Sequence, residues 1–320
     1  MGGYVLWYFL TITLLVGVAT RSTFVLNFIC VFPSLLTILF HVFKNMPVSN
    51  QDKANFFAGL NIGGHRGSPY EAPENTIEGF AMAKHAKCEL VEFDIHLSAD
   101  GVPVLIHDES TGRTSKEDIV VKKATAKEIQ NVPLKIVSGI KSAIPTLAEA
   151  VDWCLQNNMK MIFDIKDADP KMIQCLASIV KSKNLYAKAV ISSFNPCVAF
   201  TVKRVDKNIL TGLTSRSGYL SYEDDDRRIP RNGPPLLYMD SLIDDLIAIG
   251  IRSFVLPIFL GVDMLLLHHK CINSNFVEDA RQLGIHVLAW TVNESYQATF
   301  LRFNNVPFLT DYPQLLKGKQ

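Results

Sequence analysis

Two carboxylates alternate on a short apolar run of the chain, Val-Glu-Phe-Asp-Ile at residues 91–95. Side chains two positions apart on a β-strand point to the same face, so Glu92 and Asp94 are predicted to lie side by side. A third acid, Asp164, lies in a similar apolar run at residues 162–165. Carboxylate oxygens are the ligands that magnesium and calcium prefer. The three acids are therefore predicted to hold one divalent cation, with magnesium favoured and calcium as the alternative.

Two histidines and two basic residues accompany these acids. His65 is followed directly by Arg66, and His107 ends the apolar run at residues 102–106. Imidazole exchanges a proton near neutral pH, so the two histidines can serve as a general acid and a general base. The guanidinium of Arg66 can donate paired hydrogen bonds to a phosphate, and Lys166 adds positive charge beside the third acid. This combination predicts metal-assisted cleavage of a phosphodiester, and it leaves open which histidine is the base.

Longer motifs around these residues resemble the glycerophosphodiester phosphodiesterase family. They occur in order between residues 60 and 313: His65-Arg66-Gly67, Ala72-Pro73-Glu74-Asn75-Thr76, Glu92-x-Asp94, Asp100-Gly101-Val102-Pro103-Val104 with His107-Asp108, Ser193-Phe194, Trp290-Thr291-Val292-Asn293 and Thr310-Asp311-x-Pro313. Together with the apolar N-terminus, they are most similar to the short membrane-anchored animal members of that family.

The resemblance implies an enzyme that hydrolyses glycerophosphodiesters, such as glycerophosphoinositol or glycerophospho-N-acylethanolamine, to glycerol 3-phosphate and an alcohol. Substrate binding is predicted for Lys166, Glu74, Asn75 and Trp290. Glu74 and Asn75 could instead orient the catalytic residues, Asn75 could begin a helix, and Trp290 could belong to the core. The family most often has Glu at the position of Asp164, which leaves the ligand distance and the metal preference open. One alternative is a lysophospholipase D, or a phospholipase-like lyase that stops at a cyclic product, on the same barrel. The other is a catalytically retired membrane protein with a signalling or binding role.

The positions of the candidate residues depend on the elements that carry them. Short β-like runs alternate with amphipathic helical runs, which predicts a (β/α)₈ TIM barrel, of the phospholipase-C-like phosphodiesterase type by resemblance. Nine candidate strands compete for eight places: 62–65, 90–95, 102–107, 160–165, 189–194, 209–213, 263–267, 285–290 and 308–310. A turn signal at residues 98–101 favours a hairpin, in which 102–107 folds back on 90–95 and is not a barrel strand.

Four segments are predicted from the changes in composition. Residues 1–45 are predicted to anchor the chain in a membrane, 46–60 to be a linker, and 61–316 to form the barrel. By resemblance, residues 108–144 form a small insertion over the barrel mouth. Net charge is +1, with 32 basic and 31 acidic residues, which argues against a general nucleic-acid binder. The predicted partners are a glycerophosphodiester substrate and membrane lipids, and the sequence identifies no protein partner.

The N-terminal segment contains two uncharged apolar runs, residues 4–19 and 23–40. Each is close to the ~20 residues that a membrane-spanning helix needs, so a transmembrane hairpin is predicted. A cleaved signal peptide followed by one span, and one long span, are the alternatives. Lys44 and Lys53 weakly favour a cytoplasmic catalytic domain, whereas the resemblance favours a luminal or extracellular one. The prediction is an integral membrane protein of the plasma membrane or endomembranes, with the catalytic domain outside the cytosol.

A second apolar stretch, residues 240–267, has two interpretations. Two Asp residues, a Pro and a Gly interrupt it, which makes it a poor membrane span. It could supply barrel core and a buried helix. It could also form a membrane-contacting or acyl-chain-accepting surface beside the barrel mouth.

Overall fold

The computed structural model of the chain describes residues 11, 15, 18, 19, 23–166 and 168–316, and in its first helix the side chains from Phe32 onward. The described strands are β1 (Ile62–Gly64), β2 (Leu90–Leu97), β3 (Pro103–Leu105), β4 (Lys160–Ile165), β5 (Ala189–Ser193), β6 (Leu210–Ser215), β7 (Met264–His268), β8 (His286–Trp290) and β9 (Phe308–Thr310). The described α-helices are α1 (Thr23–Phe43), α2 (Asn50–Phe57), α3 (Ile77–His85), α4 (Ala126–Gln130), α5 (Leu147–Gln156), α6 (Pro170–Ser182), α7 (Pro196–Val205), α8 (Leu236–Arg252), α9 (Val255–Leu260), α10 (Ser274–Gln282), α11 (Ser295–Phe303) and α12 (Pro313–Leu316).

Eight of these strands form a closed parallel barrel surrounded by helices. Their order is β1-β9-β8-β7-β6-β5-β4-β2, and β1 pairs with β2 to close the ring. The ninth strand, β3, runs antiparallel to β2, with Leu105 opposite Ile95. The predicted (β/α)₈ barrel is confirmed, and so is the hairpin that accounted for the ninth candidate strand.

The alternation of side chains on β2 explains how acids reach the barrel interior. Leu90 belongs to an apolar cluster inside the barrel that also contains Ile162 of β4. Phe93 faces the opposite way, into the layer between the barrel and its helices. Because side chains alternate along a strand, Glu92 and Asp94 share the inward face with Leu90, nearer the C-terminal end of the strand. The interior is therefore apolar at its base and acidic at its mouth.

Several helices begin at local capping signals. Thr146 and Glu149 form a capping box at the start of α5. Pro170 occupies the first turn of α6, where its missing N–H is not needed. Thr76 caps α3, and its hydroxyl accepts a hydrogen bond from a backbone N–H of the first turn. The helix begins at this threonine, so the alternative in which Asn75 starts the helix is wrong.

The segment predicted as a linker contains the helix α2. Phe56 of this helix is fully buried in the interior cluster, at the N-terminal ends of the strands. Just before the helix, the backbone N–H of Val48 donates to the carboxylate of Asp263 at 2.7 Å. That carboxylate also pairs with the buried Lys203 at 2.7 Å. The linker region is thus fastened to the base of the barrel, opposite the acidic mouth.

Residues 108–144 pack around a small apolar cluster of their own. Val121 and Ile129 are fully buried in it, together with Val104 and Ile106 from the hairpin arm. The segment therefore rests on the arm that carries His107 to the barrel mouth.

The apolar stretch at residues 240–267 divides among α8, α9 and β7. β7 is buried in the barrel, but α8 is not the buried helix that one interpretation predicted. Leu242, Leu246 and Ile249 of α8 are each about 60 % exposed (61 %, 59 % and 63 %). This helix therefore covers the barrel with one side and presents apolar side chains on the other.

The predicted transmembrane hairpin requires a correction. Most of the first apolar run, residues 4–19, lies outside the described residues. None of the helices in the described part of the chain combines the length and the apolar character that crossing a bilayer requires. In α1, Pro33 lies inside the helix and His41 lies in its last turn. The prediction of an integral membrane protein with a luminal or extracellular catalytic domain is therefore wrong on the described residues.

Candidate active site

Three buried carboxylates lie together at the barrel mouth. Asp94 on β2 is paired in register with Asp164 on the neighbouring strand β4, and Glu92 lies two residues earlier on β2. One oxygen from each of the three residues lies within 4.8 Å of the others. Parallel strands of a barrel converge at their C-terminal ends, which brings these distant acids into one cavity.

Burial and the neighbouring charges shift the pKa values of carboxylates in this acid cluster. Burial, and then the charge of Asp94, raises the pKa of Glu92 to about 7. The Nζ atom of Lys166 lies 2.8 Å from Asp94 and 2.5 Å from Asp164, and Nε of Arg66 lies 3.2 Å from Asp94. Burial opposes the ionised form of Asp94, but these two cations outweigh it and hold its pKa well below the ordinary value. When all three acids are ionised, negative charge exceeds positive charge at this point.

The donor set fits a hard divalent cation. Oxygens that share one such ion at ~2.0–2.6 Å are separated by at most roughly 5 Å, and the observed separations meet this condition. Asp164 meets it although its side chain is one methylene shorter than the Glu that the family resemblance suggests. The residues present therefore provide an all-oxygen site, which suits magnesium or calcium better than a soft metal.

His65 lies at the end of β1 and is held by an acid from the last strand. Its Nδ1 atom lies 2.7 Å from Asp311, and Nε2 lies 4.0 Å from Glu92. Asn293 donates to the other oxygen of Asp311 at 2.8 Å. Burial disfavours the charged imidazole, but the hydrogen bond to Asp311 and the nearby carboxylates outweigh this effect and raise the pKa of His65.

His107 follows the hairpin arm and is held by its own neighbour in the chain. Its Nδ1 atom lies 2.6 Å from Asp108, which in turn accepts a hydrogen bond from Arg113 at 2.6 Å. The ring of His96 approaches the backbone oxygen of His107 at 3.1 Å. Burial lowers the pKa of His107 despite the adjacent carboxylates. The pKa values of the two histidines are thus shifted in opposite directions, and both residues use Nδ1 to contact an acid.

Arg66 and Asn75 adopt left-handed backbone conformations, with φ of 53° and 56°. The backbone N–H of Arg66 donates to Glu92 at 3.0 Å, and its guanidinium pairs with Glu74 at 3.1 Å. Asn75 donates to the carboxylate of Asp94 at 2.9 Å and accepts from its backbone N–H at 3.1 Å. Glu74 and Asn75 are not among the lining residues of the pocket described below, and they contact Arg66 and Asp94, which is consistent with the orienting role that the sequence suggested beside substrate binding.

The acids, both histidines, Arg66 and Lys166 line one pocket of about 540 Å³. Phe194, Tyr219 and Trp290 form its aromatic wall. The rings of Phe194 and Tyr219 stack at 3.9 Å, and Trp290 meets Phe194 edge to face at 5.6 Å. The indole N–H of Trp290 donates to the backbone of Leu266 at 3.2 Å, so this residue serves both as pocket wall and as part of the barrel end.

Some residues of the site were not identified from the sequence. Asp311 and Asp108 both lie in motifs that carry the family resemblance. Asp108 directly follows His107, which is a usable signal, whereas the contact between Asp311 and His65 depends on the pairing of β9 with β1. Glu223, Asp225 and Arg231 also line the pocket. They come from the long loop between β6 and α8, whose sequence contains no motif that would bring them to the site.

Comparison with known proteins identifies the family. The model of the Glycerophosphoryl diester phosphodiesterase family matches residues 65–315. The chain belongs to this family, as its motifs predicted, and it is accordingly an enzyme of the phosphoric diester hydrolase class.

Relatives over most of the chain include glycerophosphodiester phosphodiesterase 1 from Bos taurus, 29 % identical, with 82 % of each chain covered. The protein of the same name from Homo sapiens is 27 % identical, with 82 % of each chain covered. Among solved structures, an Oleispira antarctica phosphodiesterase in complex with the product sn-glycerol-3-phosphate has a TM-score of 0.62 and 23 % identity, covering 82 % of this chain and 97 % of that one. A glycerophosphodiester phosphodiesterase from Agrobacterium tumefaciens has a TM-score of 0.63 and 16 % identity, covering 81 % of this chain and all of the other (100 %). These structural likenesses support the fold.

Proposed function

We propose that this protein hydrolyses glycerophosphodiesters to glycerol 3-phosphate and an alcohol, with a divalent cation and two histidines. One observation carries the proposal: three carboxylates, two cations and two histidines line the same pocket. Membership of the family supports the reaction class. Glycerophosphoinositol and glycerophospho-N-acylethanolamine are the substrates proposed for the first assays.

The cationic side chains prepare the pocket for a phosphate. Arg66 and Lys166 both lie against the acid cluster, so their charges are held at the pocket wall and not in bulk water. Guanidinium and ammonium groups donate strong hydrogen bonds to phosphate oxygens. Trp290 offers an apolar face to the departing alcohol.

The two histidines transfer the protons. The neighbouring glycerol hydroxyl attacks phosphorus, one histidine takes the proton of that hydroxyl, and the other protonates the oxygen of the leaving alcohol. A cyclic phosphate and a free alcohol result. Water then opens the ring with the two roles exchanged, which yields glycerol 3-phosphate and returns both histidines to their starting states. In each histidine Nδ1 contacts an acid, so Nε2 is the ring nitrogen assigned to proton transfer.

Glu92, Asp94 and Asp164 are the residues proposed to hold the cation, magnesium in the first instance and calcium as the alternative. When bound there, the ion would neutralise negative charge on the phosphate oxygens.

The test measures the glycerol 3-phosphate that the purified protein releases from glycerophosphodiesters and the choline that it releases from lysophosphatidylcholine. Substrates are glycerophosphoinositol, glycerophosphocholine, glycerophospho-N-acylethanolamine and lysophosphatidylcholine, each with and without EDTA. We expect hydrolysis of at least one glycerophosphodiester, its loss in EDTA, and its return with added magnesium. A Glu92→Gln variant should respond weakly to magnesium because it loses one anionic ligand. Full activity in EDTA would contradict the metal assignment, and no hydrolysis of any substrate with magnesium would contradict the function.

A further inference from the structure

A third histidine, His96, lines the catalytic pocket, and the proposed reaction gives it no role. It lies on β2 two residues after Asp94, so it continues the inward-facing row that Glu92 and Asp94 begin. The intervening residues Ile95 and Leu97 pack on the other face, in the layer between the barrel and its helices. His96 is only 4 % exposed. The row therefore places a buried histidine at the barrel mouth.

The ring of His96 contacts the backbone of His107. Its Nε2 atom lies 3.1 Å from the backbone oxygen of His107. A carbonyl oxygen can only accept a hydrogen bond, so Nε2 carries the proton and is the donor. The contact joins a buried residue of β2 to the residue that ends the hairpin arm, 11 positions further along the chain.

His107 lies beyond the paired part of that arm. β3 ends two residues before it, and the backbone N–H of Ile106 makes one further hydrogen bond, to the backbone oxygen of Asp94 at 3.1 Å. The chain then continues into the segment at residues 108–144. The hydrogen bond from His96 thus reaches His107 where the arm leaves β2.

The backbone of the other proposed proton carrier is held by the barrel itself. The N–H of His65 donates to the backbone oxygen of Thr310, on the last strand, at 3.0 Å. His65 therefore follows its strand and remains attached to a neighbouring one. For His107, the side chain of His96 supplies a comparable attachment between backbone and barrel.

The contact between His107 and Asp108 has a different effect. The two residues are neighbours in the chain, so their 2.6 Å contact fixes the ring relative to its own stretch of backbone. Their side chains are also 35 % and 30 % exposed. The hydrogen bond from His96 instead comes from a buried strand, which also carries two of the acids proposed to hold the cation.

We infer, on the basis of the function proposed above, that His96 is a positioning residue that holds the backbone of His107 so that its imidazole faces the phosphodiester. His96 itself transfers no proton. A general acid or base must lie within hydrogen-bond reach of the proton it moves, and a small displacement costs much of the rate. Loss of the contact should therefore lower kcat and leave KM nearly unchanged.

Three variants of His96 test this inference by the release of glycerol 3-phosphate with magnesium present. His96→Leu removes the donor. His96→Asn keeps an amide, but its nitrogen ends near the position of Nδ1 and is too short to reach the carbonyl of His107. His96→Gln extends the same amide to about the position of Nε2.

The expected result is a loss in the first two variants and rescue in the third. A buried carbonyl that loses its partner is costly, so His96→Leu and His96→Asn should each lower kcat about tenfold, with KM changed less than about twofold. His96→Gln should keep kcat within about twofold of the wild type, because it restores the donor.

His286→Leu is the matched control. His286 is the first residue of β8, at the base of the barrel, where its ring stacks on Phe57 at 3.8 Å. This variant removes a strand histidine without touching the mouth, so its kcat should stay within about twofold of the wild type. Thermal unfolding compares the stability of all variants. If His96→Leu does not fold, the comparison of His96→Asn with His96→Gln still decides the question.

A double variant shows whether His96 acts through His107. In His107→Ala there is no imidazole to position, so adding His96→Leu should lower the residual kcat by less than about twofold. A further tenfold loss in that background would overturn the inference.

The other outcomes separate this inference from the proposed function. Unchanged kcat in His96→Asn, or an equal loss in His96→Gln, overturns the positioning role and leaves the proposed function intact. A raised KM with unchanged kcat also overturns it, because His96 would then bind substrate. If the wild type hydrolyses no glycerophosphodiester with magnesium present, the proposed function and this inference fall together.

Discussion

The two histidines of the site are supported in different ways. His65 contacts Asp311, which lies 246 residues further along the chain, and its side chain is 15 % exposed. His107 contacts Asp108, the next residue, and its side chain is 35 % exposed. One imidazole is thus positioned by the closure of the barrel, and the other by a local contact at the end of a hairpin.

The residues that hold Asp311 and Asp108 differ in the same way. Asp311 is fixed by Asn293, which donates to its carboxylate and accepts its backbone N–H at 3.0 Å. Asp108 is fixed by Arg113, whose guanidinium is about half exposed (48 %) and also pairs with Glu74. Exposed ion pairs are weakened by water and salt, whereas buried contacts are weakened less. The support of His65 should therefore matter more than the support of His107, even if both imidazoles are equally necessary.

Removing either imidazole should have the largest effect. His65→Ala and His107→Ala are each expected to reduce kcat by about 10² or more, since general acid–base catalysis contributes at least that much. Steady-state assays of glycerol 3-phosphate release measure the loss, and circular dichroism should show an unchanged fold. Near-normal turnover in one variant would remove that histidine from the mechanism and end the comparison.

Neutralising the two supporting acids should give unequal, smaller losses. Asp311→Asn keeps the shape of the side chain but removes its charge. A charge-assisted hydrogen bond contributes roughly 1.5–3 kcal/mol, so about a 10- to 100-fold loss of kcat is expected. Asp108→Asn affects a more exposed pair worth roughly 0.2–1 kcal/mol, so about a two- to fivefold loss is expected. The two variants are compared under identical conditions. Equal losses would show that long-range and local support are equivalent.

The same contrast explains what could be read from the sequence. His107 and Asp108 are neighbours, and the Glu92–Asp94 alternation follows from strand geometry, so both were open to prediction. The role of Asp311 depends on β9 pairing with β1, which no local pattern encodes. For Glu74 the sequence left two roles open, substrate binding and orientation of other site residues, because it does not reveal that Arg66 and Arg113 contact the Glu74 carboxylate.

The pH profile should show which proton role His65 has. The hydrogen bond to Asp311 raises the pKa of His65, so Asp311→Asn should lower that pKa. A base must be deprotonated and loses activity below its pKa, so the acidic limb of kcat/KM would move to lower pH. An acid must be protonated and loses activity above its pKa, so the alkaline limb would move to lower pH instead. In Asp108→Asn the limb set by His65 should stay in place, whereas the limb set by His107 should move to lower pH, because the hydrogen bond to Asp108 raises the pKa of His107. A profile unchanged in Asp311→Asn would contradict the electrostatic role of Asp311.

A modest effect is expected at Asp164, which contacts neither histidine and is one of the three carboxylates proposed to hold the cation. Asp164→Glu lengthens one proposed metal ligand by a methylene without removing its charge, and both histidines keep their supporting acids. Only the position of the metal ligand changes, and proton transfer is not affected. Turnover should therefore fall by less than about tenfold. The ratio of activity with magnesium to activity with calcium should change, because magnesium demands shorter and more regular ligand distances. Titration of each metal into EDTA-treated protein, followed by assay, measures both quantities. Complete inactivity with either metal would show that the site is adjusted to the shorter acid, and that the metal geometry limits catalysis more than either histidine support does.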